Sequence, residues 1–457
     1  MTGNIQSQIN LTVNLTANNI NLIVNINGWI MQKNERYALV DCNQFYVSCE
    51  RVFEPKLWNK PVGVLSNNDG CIVALSPEMK ALGIKRGVPA FKIKHLIEKH
   101  DIRLFSSNYG LYGDLSARIM QILGEFTPEL EIYSIDEAFL RLDTLNISDW
   151  LEYGRQMKLK VQKWVGIPVS VGFGPTKTLA KIANRVAKKF PAYNGVFDIT
   201  DHPNREKVLK WMKVGDIWGV GYRYAKKLNE YGIYTAWDLS KVDHKWIQQQ
   251  MTIVGLRTVK ELSGISCIDM ELDMVPKKQI ISSRSFGQPV SELNQLLEAV
   301  ADYCQVATLK LRQQHSLAST IMVYLTTNRF RDEPQYANYA SLKLATPSAY
   351  VPDFIKAGSD LMRSIYRPGY KFKKVGVMLS NIIAERQAPL DFFERVYIDD
   401  ERKTVMDCMD KVNNVWGSGT LAYAAAGINK NWQMKRELLS PSYTSNWHQL
   451  LKIGGGE

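Results

Sequence analysis

The sequence predicts an α+β protein of several domains, and three observations carry that expectation. At 457 residues, the chain has room for roughly three or four domains. Two apolar, strand-forming runs end in acids. Tyr37-Ala38-Leu39-Val40 leads into Asp41, and Glu131-Ile132-Tyr133-Ser134-Ile135 leads into Asp136-Glu137, with Asp41 and Asp136 95 positions apart. Neighbouring strands of one βαββαβ sheet would set such ends side by side. Downstream, a helical stretch at 206–270 gives way to a mixed α/β stretch at 280–385.

Composition narrows the partner class. The hydrophobic share of 45% is ordinary for a globular protein, and the net charge is +12. An excess of Lys and Arg on this scale favours a polyanion, either nucleic acid or an anionic membrane surface. No uninterrupted apolar run reaches the length that crosses a bilayer. The six cysteines, at 42, 49, 71, 267, 304 and 408, include no Cys-x-x-Cys pair. That spacing argues against a zinc knuckle or a disulfide framework and suits a reducing cytoplasm. The expected location is therefore cytoplasmic, with no segment that spans a membrane.

Residues 1–32 hold no charged side chain and are rich in Asn, Ile and Thr. They lack the basic leader of a signal peptide, and their partial alternation supports at most a weak strand. Segment 1–35 is expected to be a disordered, dispensable extension, or the product of a misplaced start upstream of Met31.

From Tyr37 the pattern sharpens. Asp41 closes a buried strand, where an acid is costly unless a cation meets it, and 42–50 reads as a turn entering a helix. Residues 51–102 read as a small, mostly helical insertion. It opens with the short strand Pro61-Val62-Gly63-Val64-Leu65, turns at Ser66-Asn67-Asn68-Asp69-Gly70, and starts a helix at Ser76-Pro77-Glu78 that stops by Gly83. Lys80 lies in that helix, and Lys85, Arg86, Lys92 and Lys94 follow. These charges suit either a solvated face or a lid over a triphosphate, with Lys80 aimed inward.

A helix over 111–124 precedes a hairpin at 131–142. In a straight strand Asp136 and Glu137 would face opposite sides; at a tight turn both carboxylates reach one spot. Two carboxylates that close raise each other's pKa unless a cation neutralises them, and Mg²⁺ prefers oxygen ligands and phosphates. On this stretch alone a solvated polar turn is the better account of the acids. Next come a helix at 149–164, a strand at 168–172 and a helix with the apolar stripe Leu179, Ile182, Val186 and Phe190. Lys181, Arg185 and Lys188 mark another face of that helix, and no acid lies between Glu152 and Asp198 to offset them.

At 214–223 the run Val-Gly-Asp-Ile-Trp-Gly-Val-Gly-Tyr-Arg carries a Gly-x-Gly hairpin, Gly219 and Gly221, between short helices. Such a hairpin lets backbone N–H groups approach a phosphate, and Arg223, Lys226 and Lys227 add cations. This helix-hairpin-helix pattern grips duplex backbone without reading sequence, although a plain helical hairpin has the same signature. In 280–385 strands are expected at 280–286, 319–325 and 374–379, and helices at 291–314 and 352–366. Arg284, Arg329, Arg331, Lys371 and Lys373 suit backbone contact with DNA. In Gln387-Ala388-Pro389-Leu390-Asp391-Phe392-Phe393, two adjacent Phe residues in a polar linker suit a partner's pocket or a patch docking back on the same domain. The tail from 394 is less informative.

From about Tyr37 to the C-terminus the chain resembles the Y-family translesion DNA polymerases, and most closely the UmuC-type catalytic subunits of DNA polymerase V. The resemblance rests on Asp41-Cys42-Asn43-Gln44-Phe45-Tyr46, 65–71, 105–109, the 131–139 hairpin, 176–181, 218–221, Ser283-Arg284-Ser285-Phe286-Gly287 and Met434-Lys435-Arg436. Segment 1–35 has no counterpart in that pattern. The implied fold is a right hand. Its palm is 36–50 with 103–205, its small fingers 51–102, its helix-hairpin-helix thumb 206–275 and its α/β little finger 276–386. A clamp-binding motif and partner-binding tail would fill 387–457.

The resemblance implies error-prone translesion synthesis in the SOS response, with nucleotidyl transfer from dNTPs to a primer 3′-OH on primer-template DNA. Asp41, Asp136 and Glu137 would be catalytic and, with the Cys42 carbonyl, would hold two Mg²⁺ ions. Phe45, Tyr46, Lys80 and Lys181 would contact the nucleotide, Tyr46 as the steric gate against a ribose 2′-OH. Lys80 stands where other members often carry Arg. Gly219, Gly221, Arg223 and Arg284 would contact DNA, and Gln387, Leu390, Phe392 and Phe393 the beta sliding clamp. A processed UmuD dimer and a RecA filament are the further implied partners. A non-catalytic DNA-binding scaffold and a palm-fold nucleotidyl cyclase are the rivals. The retained acids and Tyr46 speak against the first, and the basic charge and the 219–221 hairpin against the second.

Overall fold

A computed structural model describes residues 35–272, 275–387 and 400–450, together with the backbone of three short upstream strands. Those strands, β1 (Leu11–Thr12), β2 (Leu22–Val24) and β3 (Ile30–Gln32), pair antiparallel in the order β1-β2-β3. The other residues of 1–34, on which the expectation of disorder falls, lie outside the described residues.

The first strand of the palm, β4 (Tyr37–Cys42), leads through a turn into α1 (Phe45–Phe53). The chain then leaves to build the fingers from β5 (Val62–Leu65), β6 (Ile72–Leu75), α2 (Pro77–Ala81), α3 (Lys94–Lys99) and β7 (Arg103–Ser106). Here the structure corrects two expectations. The insertion is built on a three-stranded sheet, β6-β5-β7, rather than mostly on helices. Because β7 pairs parallel with β5, the unit also runs to Ser106 rather than 102. Four-residue apolar runs are too short for periodicity to separate strand from helix. Leu65, Ile72, Leu75, Met79, Ile84, Ile93 and Ile102 form the fingers' own core.

The palm resumes with α4 (Tyr109–Gly124), β8 (Glu129–Ile132), β9 (Glu137–Arg141), α5 (Trp150–Val165), β10 (Val169–Gly174), α6 (Lys177–Lys189) and β11 (Val196–Asp198). The side chains of Asn108, Asp149 and Thr176 cap α4, α5 and α6 by accepting from backbone N–H groups of the first turn. The sheet order is β11-β10-β4-β9-β8, which is the expected βαββαβ unit with β11 added parallel to β10. Alternation sorts β4 between two layers. Ala38, Val40 and Cys42 pack in the core with α1, α4 and α5, whereas Tyr37 and Leu39 pack with Phe139 and Ala180 on the α6 side. The α6 backbone sits close on β10, since a Cβ on Gly172 would come within 2.0 Å of the Asn184 nitrogen.

The thumb holds α7 (Arg205–Trp211), α8 (Tyr222–Glu230), α9 (Ala236–Ser240) and α10 (His244–Leu262). It shares a core with α6, in which Leu179, Ile182 and Val186 meet Leu209, Val220, Leu228 and Leu262. At Thr252, φ is 65°, which breaks α10 into two segments.

The little finger repeats the βαββαβ order with β12 (Ile280–Val290), α11 (Leu293–Gln313), β13 (Ser316–Thr327), β14 (Ala337–Ser348), α12 (Val351–Ile365) and β15 (Phe372–Ala384). All its strands pair antiparallel, in the order β12-β15-β13-β14. The last described helix, α13 (Asp400–Trp416), docks on this domain. Arg312 grips Asp410 with two 2.7 Å hydrogen bonds, and Met406 and Met409 pack against Val351. Beyond α13, Trp432 is buried against Phe286 and Tyr303. The chain then returns across the fingers to α1.

Candidate active site

The site grows out of strand register. Asp41 and Glu137 are partners across the β4–β9 ladder, and each follows by two residues or precedes by two a side chain on the α6 face, Leu39 and Phe139. Both carboxylates therefore project toward α6. The hairpin turn falls at 133–136, so Asp136 sits at its end and Glu137 opens β9. The Cys42 N–H donates to the Asp136 carbonyl at 2.8 Å and ties the two strand ends together.

The α6 face answers with cations. Lys188 pairs with Asp41, Lys181 pairs with Glu137 at 2.9 Å, and Arg185 pairs with Asp216 at 2.8 Å. The lysine stripe without local acids thus finds its partners on the sheet and the thumb. Burial pushes the Asp41 carboxyl well above the usual carboxylate range, against the pull of Lys188. Burial also acts on Glu137, but Lys181, a hydrogen bond with Asp41 and Lys188 outweigh it and hold its carboxyl below the ordinary value. Asp136 accepts from the Ser134 hydroxyl at 2.7 Å.

These acids form one end of a cleft of about 1190 Å³ between palm and fingers. Its wall includes Cys42, Phe45 and Tyr46 from the palm, and Lys80, Lys85 and Arg86 from the fingers. Lys80 is where the inward-lid alternative puts it. Burial lowers its pKa, and the neighbouring Arg86 and Lys188 charges lower it further. Cations crowded in this way favour an anion between them. The ring of Tyr46 stacks on Tyr112 at 4.4 Å between centroids and 15° between planes.

Lys181 is not among the residues lining the cleft. Besides Glu137 it meets the Tyr133 ring, with its nitrogen 4.3 Å from the centroid. Lys188 lines the cleft in its place. The i, i+7 spacing from Lys181 was the available signal for it, and charge alone could not say which lysine of the stripe faces the cleft. The donor set of three carboxylates is hard oxygen throughout, and with the Cys42 carbonyl at the same cleft it suits Mg²⁺ in chemistry. Among the described residues, no three His, Cys, Asp or Glu groups converge as ligands. Asp41, Glu137 and Asp136 are instead each held by a different partner, Lys188, Lys181 and Ser134.

Two further surfaces were expected to meet DNA. Gly219 has φ 84°, a conformation that favours glycine, and Gly221 is the N-cap of α8. Gly219, Gly221 and Arg223 are exposed, as is Arg284 on β12. Gln387 ends a short 3₁₀ turn, whereas Leu390, Phe392 and Phe393 lie outside the described residues.

Known proteins share this organisation. Residues 40–185 match the model of the impB/mucB/samB family, 277–392 match that family's C-terminal domain, and 403–453 match a domain of unknown function. Protein UmuC of Salmonella typhimurium is 41% identical over 91% of this chain and 100% of its own length. The chain belongs to the impB/mucB/samB family. A DNA polymerase IV from Pelotomaculum thermopropionicum is a more distant relative, 27% identical over 78% of this chain and 87% of its own. The fold is that of the Y-family polymerases. A Y-family DNA polymerase chimera of Dbh and Dpo4 superposes with a TM-score of 0.61 over 76% of this chain and 99% of the chimera, at 22% identity. Among the described residues, no helix is long and apolar enough to cross a membrane.

Proposed function

We infer that this chain is a template-directed DNA polymerase of the translesion type, adding dNTPs to a primer 3′-OH during the SOS response. The observation that carries it is the pairing of Asp41 with Glu137 in the ladder at a cleft that Lys80, Lys85 and Arg86 also line. Acids and cations lining one cleft suit a nucleoside triphosphate with its counter-cations.

In this reading Asp41, Asp136, Glu137 and the Cys42 carbonyl hold two Mg²⁺ ions. When bound, these ions lower the pKa of the primer hydroxyl and offset charge on the leaving pyrophosphate. The protein's own groups do the rest. Lys80, Lys85, Arg86 and Lys188 bind the triphosphate and orient it for in-line attack. Lys181 keeps Glu137 ionised. Tyr46, with Phe45 beside it, lies under the sugar and leaves no room for a 2′-OH. The N–H groups at 219–223 and the exposed Arg284 hold the duplex by its phosphates, independent of sequence. We also infer that Gln387, Leu390, Phe392 and Phe393 bind a sliding clamp, and that a processed UmuD dimer and a RecA filament are partners. The kinship with UmuC supports those assignments.

Primer extension across an abasic site tests the reading, with Mg²⁺, with and without UmuD dimer and RecA filament, and with Asp136→Asn in parallel. Metal-dependent bypass that the variant loses while still binding DNA is expected. No incorporation by the wild type under any condition, with DNA binding intact, would leave a scaffold instead of an enzyme.

A further inference from the structure

The C-terminal tail reaches the helix that carries Tyr46. After Trp432 seats in the little finger, the Lys435 N–H donates to the Asn68 side-chain oxygen at 3.0 Å, and the Glu437 N–H to Asp69 at 2.8 Å. Leu438 then makes a reciprocal pair with Ser106. Its N–H donates to the Ser106 hydroxyl, and its carbonyl accepts from the Ser106 N–H, each at 2.9 Å. Ser440 follows and is buried. Its hydroxyl accepts from the Asn108 amide at 3.0 Å and donates to Glu50 at 3.2 Å. Tyr443 closes the run by stacking on Phe53, 4.6 Å between centroids and 7° between planes.

Glu50 is the junction. It lies one helical turn after Tyr46 on α1, so the two side chains share a face. The same carboxylate oxygen that accepts from the Ser440 hydroxyl also accepts from the Tyr112 hydroxyl at 2.6 Å. The Tyr112 ring is fully buried and stacks flat on Tyr46. Tyr112 is thus held at two points, by its hydroxyl on Glu50 and by its ring on Tyr46. Asn108, which takes Ser440 on its amide, caps the helix that carries Tyr112. The polar groups around Glu50 are buried, and a buried network of this kind fixes geometry when all its members are satisfied.

We propose that Ser440 is a positioning residue for sugar selection: through Glu50 and Tyr112 it holds the Tyr46 ring against the deoxyribose. The tail would then do more than join domains, because it would set how tightly the cleft discriminates a 2′-OH. The proposal rests on the reading of Tyr46 as the residue under the sugar.

The test is single-nucleotide incorporation by the full chain, under the conditions in which the wild type extends a primer. The readout is the ratio of kcat/KM for a dNTP to that for its rNTP. Tyr46→Ala is the control for the underlying reading. Ser440→Ala and Tyr112→Phe are each expected to lower the ratio by roughly three- to tenfold, the scale of one hydrogen bond. The dNTP kcat of Ser440→Ala should stay within about twofold of wild type. Ser440→Thr keeps the hydroxyl and should restore the ratio. Adding Ser440→Ala to Tyr46→Ala should lower the ratio no further, because the relay ends on the missing ring. If Tyr46→Ala changes the ratio while Ser440→Ala and Tyr112→Phe do not, the relay is wrong and the gate stands. If Tyr46→Ala leaves the ratio unchanged, or the wild type extends no primer, the underlying reading fails and takes the relay with it.

Discussion

Lys177→Met should destabilise the palm heavily. The Lys177 side chain is 1% exposed and donates to the Glu131 carboxylate and, at 2.6 Å, to the Asp269 carbonyl. Glu131, 8% exposed at its side chain, also accepts from the Glu271 N–H at 2.9 Å. Removing the ammonium leaves a buried carboxylate with one neutral donor. Breaking a buried pair from one side costs about 3–5 kcal/mol, because the remaining charge is uncompensated. At roughly 2–4 °C per kcal/mol for a domain of this size, a 3 kcal/mol loss shifts Tm down by roughly 6–12 °C. The assay is thermal unfolding of wild type, Lys177→Met, Glu131→Gln and the double variant, followed by far-ultraviolet circular dichroism. The double variant should cost less than the sum of the singles, since it leaves no unpaired charge. A drop below about 1 kcal/mol for Lys177→Met, or strict additivity in the double variant, would refute the reasoning.

Three other outcomes are expected. Lys188→Met removes the Asp41 counter-ion and a cleft cation; KM for dNTP should rise roughly tenfold or more, the scale of a charge-assisted hydrogen bond, with primer-template affinity by fluorescence anisotropy within about twofold. Gly172→Ala puts a methyl group 2.0 Å from the Asn184 nitrogen and 2.5 Å from the Ala180 carbonyl oxygen, and a Tm measurement should show a loss of at least about 3 kcal/mol, the upper end for overpacking. Burial raises the Glu50 carboxyl from 4.5 to about 7, even with Tyr112 and Ser440 donating to it. The folded state therefore binds this proton more tightly than the unfolded chain, and the stabilisation is complete below pH 4.5 and lost as pH rises through about 7. Glu50→Gln should gain on wild type by up to about 3 kcal/mol between pH 4.5 and pH 8, read as Tm at a series of pH values; a pH-independent difference would contradict it.

Much of this was legible in the sequence because the patterns are local. Asp41 at the end of an apolar strand and Asp136-Glu137 at a hairpin both identified the floor of the cleft, and the ladder makes Asp41 and Glu137 partners. The stripe Leu179, Ile182 and Val186 is buried as expected, while Phe190 falls on the helix cap and is 38% exposed. Helices expected at 111–124, 149–164, 291–314 and 352–366 fall within about two residues of their observed bounds. What was missed depends on partners distant in the chain. Of the fingers' four-residue strands β5 was expected, whereas β6 and β7 acquire meaning only by pairing. β14 is an edge strand in which Ala, Asn, Ser, Lys and Pro outnumber the strong β formers Tyr339 and Thr346. Lys188 differs from Lys181 only in which acid lies opposite, which the sheet decides. The role of Ser440 is invisible from its neighbours, because its three polar contacts lie on α1 and at the start of α4.

The contact between Ser440 and Glu50 joins residues 390 positions apart, and this has a consequence for how the molecule matures. At roughly 5–20 residues per second on the ribosome, about 20–80 s separate the synthesis of the two ends. Throughout that interval the first helix exists without the segment that completes its surroundings. A nascent or C-terminally clipped chain thus carries Glu50 and Asn108 with Ser440 missing from both. The surroundings of the first palm helix are therefore complete only once residue 440 has been made, and loss of the chain from there onward acts on that helix.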